Sequence, residues 1–316
     1  MRISVSVTNQ SWRGGRTPPE EFSGLGRRAD DAGFDTVWVP DHLLQMDPTV
    51  PDEDTEILEA YALLGFLAGQ TSRVRLGALV SNVTLRPPAL LIKAVSTLDA
   101  LSGGRTWLGV GAGYAGEEAR RTGVPLPEVG ERFERLEETL QLAHQVWAGD
   151  ESPFVGRHYQ LAHPLDSPRP ARRPRVLVGG TGERKTLRLV ARYADACNLF
   201  DVPDDGQTVR HKLDVLKGHC DDVGRTTAIE TTLSTRLGAD ESSDDLARRC
   251  ERLDAWGIDH LIFVSSTPWR TDDLATLAGA VRLVADLGLD RTEPPIRTDS
   301  GRDHESHHRR TDPRSA

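Results

Sequence analysis

Three short stretches of this 316-residue chain combine residue types and spacing that could do chemistry. Asp41-His42 follows the apolar run Thr36-Val-Trp-Val39. A histidine at a strand end can exchange a proton near neutral pH, and an acidic neighbour can orient it. The other two stretches are glycine clusters, Gly109-Val-Gly-Ala-Gly-Tyr114 and Val178-Gly-Gly-Thr-Gly-Glu-Arg-Lys185. Each follows an apolar run and precedes a helix-like stretch. Glycine lacks the Cβ that would block a ligand from the backbone, and amides at the start of the following helix face an anion. A plain tight turn is the competing reading for either cluster alone. Two in succession favour a ligand with a phosphate.

The spacing excludes the familiar nucleotide loops. No GxxxxGK[ST] occurs, Lys185 stands where Gly180-Thr-Gly182 would need its third glycine, and Tyr114 stands there for Gly109-Val-Gly111. No GxSxG elbow or HExxH is found, and Cys197, Cys220 and Cys250 are too far apart for CxxC chemistry. They read as buried or half-buried thiols. Asp41 with Asp201 is a poor match to a glycosidase carboxylate pair. His144 and His260 fall inside elements and read as structural.

These residues need a scaffold that brings successive strand ends to one place. Apolar runs of strand length recur at Ile3–Val7, Thr36–Val39, Val74–Val80, Trp107–Gly111, Val176–Val178, Ala196–Leu199, Glu230–Ser234 and His260–Val264. Amphipathic stretches alternate with them: Pro18–Ala32, Glu56–Gln70, Pro88–Leu101, Glu131–Trp147, Glu183–Tyr193, Gly206–Val223, Asp244–Ala255 and Asp272–Asp286. Eight β-then-α units point to a closed (β/α)₈ barrel, whose active site lies at the C-terminal ends of the strands. A doubly wound open sheet is the rival. The irregular region from Ala148 to Pro174, with a hairpin core at Phe154–Leu161, reads as an insertion before the fifth strand.

The barrel domain is expected over 1–289. From Asp290 the chain turns polar, proline-containing and poor in aliphatic residues, and a disordered tail is expected over 290–316, with His304, His307 and His308 in it forming no built metal site. Forty-eight acidic residues against thirty-nine basic ones give a net charge of −9, which disfavours a nucleic-acid partner. No apolar run is long enough to span a membrane and the first residues lack a signal peptide's charged lead, so a soluble, cytoplasmic protein is expected.

The runs Leu76–Tyr114, Gly130–Gly149 and Leu177–Asn198 together resemble the bacterial luciferase-like flavin oxidoreductase family, and more closely its members that use the deazaflavin coenzyme F420. The resemblance implies a (β/α)₈ barrel with the flavin-like ring in its mouth, hydride transfer to or from a small organic substrate, and a homodimer. It implies His42 near the reacting carbon, with Asp41 beside it. Leu79 and Val80, on a bulged third strand and in many members joined by a non-prolyl cis peptide, would stand behind the ring with Ser81 and Asn82 following. Gly111, Ala112 and Gly113 would line the cofactor chain, and Gly179, Gly180, Thr181 and Gly182 would receive phosphate. Arg184 and Lys185 would add positive charge. A flavin mononucleotide monooxygenase fed by a reductase, and a cofactor-binding protein without turnover, are the alternatives. Sugar-phosphate dehydrogenases of the family carry a glutamate where Tyr114 stands and a tryptophan where Met46 stands, and Pro87 replaces a frequent histidine.

Overall fold

Parallel strands covered on one side by helices and on the other by a barrel interior must bury both faces, and the alternation along each strand records which face is which. In the computed structural model, which describes residues 1–12 and 15–289, the strands are β1 (Arg2–Ser6), β2 (Thr36–Val39), β3 (Arg75–Ala78), β4 (Ser81–Asn82), β5 (Thr106–Gly111), β6 (Phe154–Val155), β7 (Gln160–Leu161), β8 (Arg175–Gly179), β9 (Ala196–Phe200), β10 (Glu230–Thr235) and β11 (His260–Phe263). The helices are α1 (Pro18–Ala32), α2 (Ala60–Ala68), α3 (Pro88–Ser102), α4 (Gly116–Thr122), α5 (Val129–Ala148), α6 (Thr186–Tyr193), α7 (Gln207–Asp222), α8 (Ser243–Ala255) and α9 (Thr271–Asp286). The sheet runs β3-β2-β1-β11-β10-β9-β8-β5-β4, and the β3–β5 pairing closes it into a barrel. The open-sheet rival is thereby excluded. The antiparallel β6–β7 hairpin forms the excursion before β8. The polar tail from Asp290 lies outside the described residues.

Ile3, Val5 and Val7 pack outward into the large core beneath the helices, while Ser6 and Thr8 face the barrel mouth. Across the interior, Trp38, Trp107, Leu177, Ala196 and Ile262 form a separate apolar layer, with the two indoles 5.7 Å apart. Gly77 makes room for them, since a Cβ there would stand 2.7 Å from Trp38 and 2.8 Å from Trp107. Below that layer, at the strands' N-terminal ends, Glu230 accepts from His260 Nδ1 at 2.7 Å and lies 3.0 Å from Arg2 and 2.7 Å from Arg175. His260 Nε2 meets Ser4 Oγ at 2.5 Å. The interior is therefore a charged base, an apolar middle and an open mouth.

The expected third strand, Val74–Val80, is interrupted. Gly77 pairs with Trp107 but Ser81 pairs with Val110, so four steps on one strand match three on the other. One extra residue is a β-bulge, and the Leu79-Val80 peptide within it is cis. Gly77 and then both Leu79 and Val80 consequently face inward, two consecutive residues where a regular strand would show one.

The expected helices are found, the first with the same bounds and the others with shifted ends. The second begins at Ala60 rather than Glu56, because Glu59 accepts from Ala62 N and caps it there, and the fifth begins at Thr186 rather than Glu183. Helix α4 was not expected, although Glu117 and Glu118 in its first turn, Arg120 and Arg121 in its last and Gly123 in the left-handed conformation beyond it are ordinary start and stop signals.

Candidate active site

A cavity of about 610 Å³ opens at the C-terminal ends of the barrel strands. Leu79 and Val80 form part of its floor, with Ser6, Asn198 and Ser234 from β1, β9 and β10 beside them. The Asn198 amide donates to Ser234 Oγ at 3.0 Å and its oxygen accepts from Thr232 Oγ1 at 2.8 Å, so the polar floor is held by its own hydrogen bonds.

His42 lines this cavity and is fixed from behind. Its Nδ1 lies 3.0 Å from Glu118 Oε2, while Glu118 Oε1 accepts the backbone N–H groups of Leu43 and Leu44. Glu118 is 2% exposed. A carboxylate already acting as acceptor requires the proton on Nδ1, which leaves Nε2 as the nitrogen facing the cavity. Tyr114 stands edge-on to the imidazole, its hydroxyl 3.5 Å from Nε2. Burial of the phenol end, then the carboxylates of Asp47 and Glu118, push the Tyr114 pKa up, although the residue is 71% exposed.

The glycine clusters meet here for a reason the sequence did not disclose. A Cβ on Gly111 would lie 2.9 Å from Val80, and one on Gly179 would lie 2.8 Å from it, so two glycines from different strands accommodate one inward-bulging valine. The Cβ position of Gly113 is taken by the Asn82 amide, and Gly180 has φ +115°, a conformation that side chains rarely adopt. Close approach is real at both loops, but at Gly111, Gly113 and Gly179 the approaching group belongs to the chain.

Of the residues expected at a cofactor, Leu79, Val80, Asn82, Gly111, Ala112, Gly113, Gly179 and Gly180 line the cavity with His42. Asp41, Ser81, Thr181 and Gly182 do not. Asp41 is 1% exposed and bound in two contacts, 2.6 and 3.1 Å, to Arg86, which also reaches Glu59 and lies over the Tyr61 ring. Burial first, and then the nearby Asp41 carboxylate, push the Tyr61 pKa up. Ser81 is buried against Tyr61 Oη at 3.0 Å. Asp41 and Ser81 therefore brace the wall. Thr181 is half-buried and Gly182 exposed, and neither lines the cavity. Lys185 lies over the Phe133 ring, 5.3 Å from its centre.

Sequence reasoning missed two lining or supporting charges. Glu118 was hidden because α4 was unrecognised. Arg132, on α5, lines the cavity, donates to the Gly113 carbonyl, and has its Nε enclosed with no hydrogen-bond partner. Among the described residues no group of three or more His, Cys, Asp or Glu could hold a metal ion, and no helix is long and apolar enough to cross a membrane.

Comparisons with known proteins agree with this architecture. The chain is 32% identical over 246 residues to an F420-dependent glucose-6-phosphate dehydrogenase of Kineococcus radiotolerans, covering 75% of this chain and 68% of that protein. A second, from Amycolatopsis mediterranei, is 34% identical over 177 residues, and the match spans 50% of that protein's length. An F420-dependent secondary alcohol dehydrogenase with an F420-acetone adduct superposes with a TM-score of 0.76 at 19% identity, over 90% of this chain and 98% of the other, a likeness of fold. The luciferase-like monooxygenase family model matches residues 1–312. A closed parallel barrel, a bulged third strand and a histidine at the end of the second accordingly belong to a protein of the luciferase-like monooxygenase family.

Proposed function

We propose that the protein is an oxidoreductase that transfers a hydride between coenzyme F420 and a small organic substrate in this cavity. The observation that carries the reading is the His42–Glu118 pair, whose Nε2, 3.5 Å from the Tyr114 hydroxyl, opens onto the cavity that the Leu79-Val80 bulge floors. The residues fit such a cofactor. The volume lies in the range of roughly 300–1,000 Å³ usual for ligand sites. An apolar bulge offers a surface for a flat ring, and the enclosed, unpartnered Nε of Arg132 beside Gly113 offers a donor for an anionic chain. When bound, the deazaflavin supplies a carbon that accepts or releases hydride and reacts poorly with oxygen.

The chain's own residues then have defined tasks. Leu79 and Val80 back the ring, and the backbone from Gly111 to Gly113 with Gly179 and Gly180 lines the cavity beside the cofactor chain, Gly180 being the one of these glycines whose Cβ position the protein leaves open. His42 Nε2 takes a proton from the substrate oxygen in oxidation and returns it in reduction. Glu118 fixes the tautomer and stabilises the imidazolium that forms, which makes it a positioning residue. The same reading places the protein in the cytoplasm as a homodimer, and light scattering at twice the chain mass checks the assembly.

Titration with F420 and with flavin mononucleotide, followed by ring fluorescence, tests the cofactor. Micromolar binding of F420 supports the proposal, whereas binding of flavin mononucleotide alone turns the reading to an oxygen-using monooxygenase. His42→Ala should retain F420 binding and lose turnover by about 10²–10⁴-fold. An unchanged rate removes His42 from the mechanism, and tight F420 binding without turnover of any alcohol, enone or sugar phosphate by the unaltered protein favours a carrier.

A further inference from the structure

Charge is distributed unequally around the cavity wall. Among the described residues Arg132 is the only lysine or arginine that lines the cavity, and it sits beside β5 with its guanidinium on the Gly113 carbonyl. Asp47 lines the side formed by the loops after β1 and β2, where Gln45 reaches back to the Thr8 carbonyl at 3.1 Å. One Asp47 oxygen accepts from Thr49 N at 2.8 Å and Thr49 Oγ1 at 2.5 Å; Arg236 donates to that hydroxyl at 2.6 Å, but among the described residues no cation contacts the carboxylate itself. Between these poles the mouth is apolar, with Val129 and Phe200 about half exposed beside Tyr114.

We propose, on the reading that F420 binds against the β5 and β8 glycines, that the space left between His42, Asp47 and Phe200 takes an uncharged or cationic apolar secondary alcohol or its ketone and rejects anions. Asp47 is the specificity-determining residue. With Arg132 committed to the cofactor side and Arg236 held behind Thr49, a phosphorylated sugar or carboxylated substrate would meet a carboxylate with no cation in direct contact, in a partly desolvated cavity where like charges repel more strongly than in water. An apolar body would instead cover Val129 and Phe200. In the oxidative direction the carbinol carbon loses a hydride to oxidised F420 and the hydroxyl loses its proton to His42 Nε2, which leaves the ketone and reduced F420.

The test uses three molecules of one shape: methyl phenyl carbinol, its para-carboxylate and its para-aminomethyl analogue, with glucose 6-phosphate as a further anion. In kcat/KM, read as F420 reduction at low ionic strength, the neutral and cationic alcohols should exceed the carboxylate by on the order of tenfold or more. Added salt should narrow the gap. Asp47→Asn keeps an oxygen for the Thr49 contacts and removes the charge, so the carboxylate should gain relative to the neutral alcohol by about the same factor. Affinities of the three corresponding ketones, measured calorimetrically with and without F420, should follow the same order, and this arm stands whether or not the cofactor reading holds. Equal or better use of the carboxylate or of glucose 6-phosphate, or an anion-to-neutral ratio that Asp47→Asn leaves unchanged, overturns the proposal. Failure of F420 to bind, with the ketone order intact, counts against the cofactor alone.

Discussion

The imidazole of His42 is useful only if one nitrogen is reserved for the cavity, and Glu118 does the reserving. Glu118→Gln should still accept from the Leu43 and Leu44 amides but no longer demand a proton on Nδ1 or stabilise the charged ring. Turnover should then fall by about tenfold, while F420 affinity changes little. The distinguishing readout is the histidine tautomer by nitrogen NMR: the Nδ1-protonated form should predominate in the neutral ring of the parent protein and lose ground in the variant. A rate loss without that change would make Glu118 a mere anchor for α4. The sequence offered His42 by its place after a strand, but its partner lies seventy-six positions away. Asp41, adjacent in sequence, turns its carboxylate to Arg86 instead.

At the level of elements, the bulge between β3 and β4 and the glycines of β5 and β8 form one packing unit. Gly179→Ala should cost about 1–3 kcal/mol through overpacking against Val80. In a Val80→Ala background the same change should cost much less, and the double-mutant cycle from denaturant titration should show clear non-additivity. Additive energies would mean that the glycine serves something other than the valine. Helix starts were legible to the extent that their caps were: Thr17 with Glu20 and Ser242 with Asp245 mark α1 and α8 plainly. The break after Ala78 was not legible from pattern, because Leu79-Val80 continues an apolar run in which strand and bulge read alike; the family resemblance alone pointed to it.

Over the whole molecule, the barrel stands on a buried charge cluster far below the cavity. Burial opposes the charge of Glu230, yet the hydrogen bond and charge of His260 with Arg175 and Arg2 outweigh it and hold the carboxyl down at about 2. A folded-state pKa below the unfolded value stabilises the fold above roughly pH 4.5, and that contribution is lost as pH falls towards 2. Glu230→Gln should therefore destabilise the protein most at neutral pH, and the stability difference from the parent should shrink as pH falls through that window. A difference constant from pH 7 to 3 would show that Glu230 contributes as a neutral hydrogen-bond acceptor. Ser4, His260 and Glu230 are linked in the order of a hydrolytic triad, but all are buried and Ser4 Oγ accepts the Thr36 amide, so the cluster is structural.

Residue order alone sets the alternation of strands and helices, hence the barrel, and with it the end of the barrel where His42 and both glycine loops must meet. Strand and helix periods are local, and closure follows from their repetition. Which groups share the cavity depends on how the barrel folds. Folding brings Arg132 to it and Glu118 behind His42, and takes Asp41 and Ser81 away, because side-chain partners depend on register across the barrel. It also gives the glycines their occupant: a register offset of one residue turns Val80 inward, where Gly111 and Gly179 leave space for it.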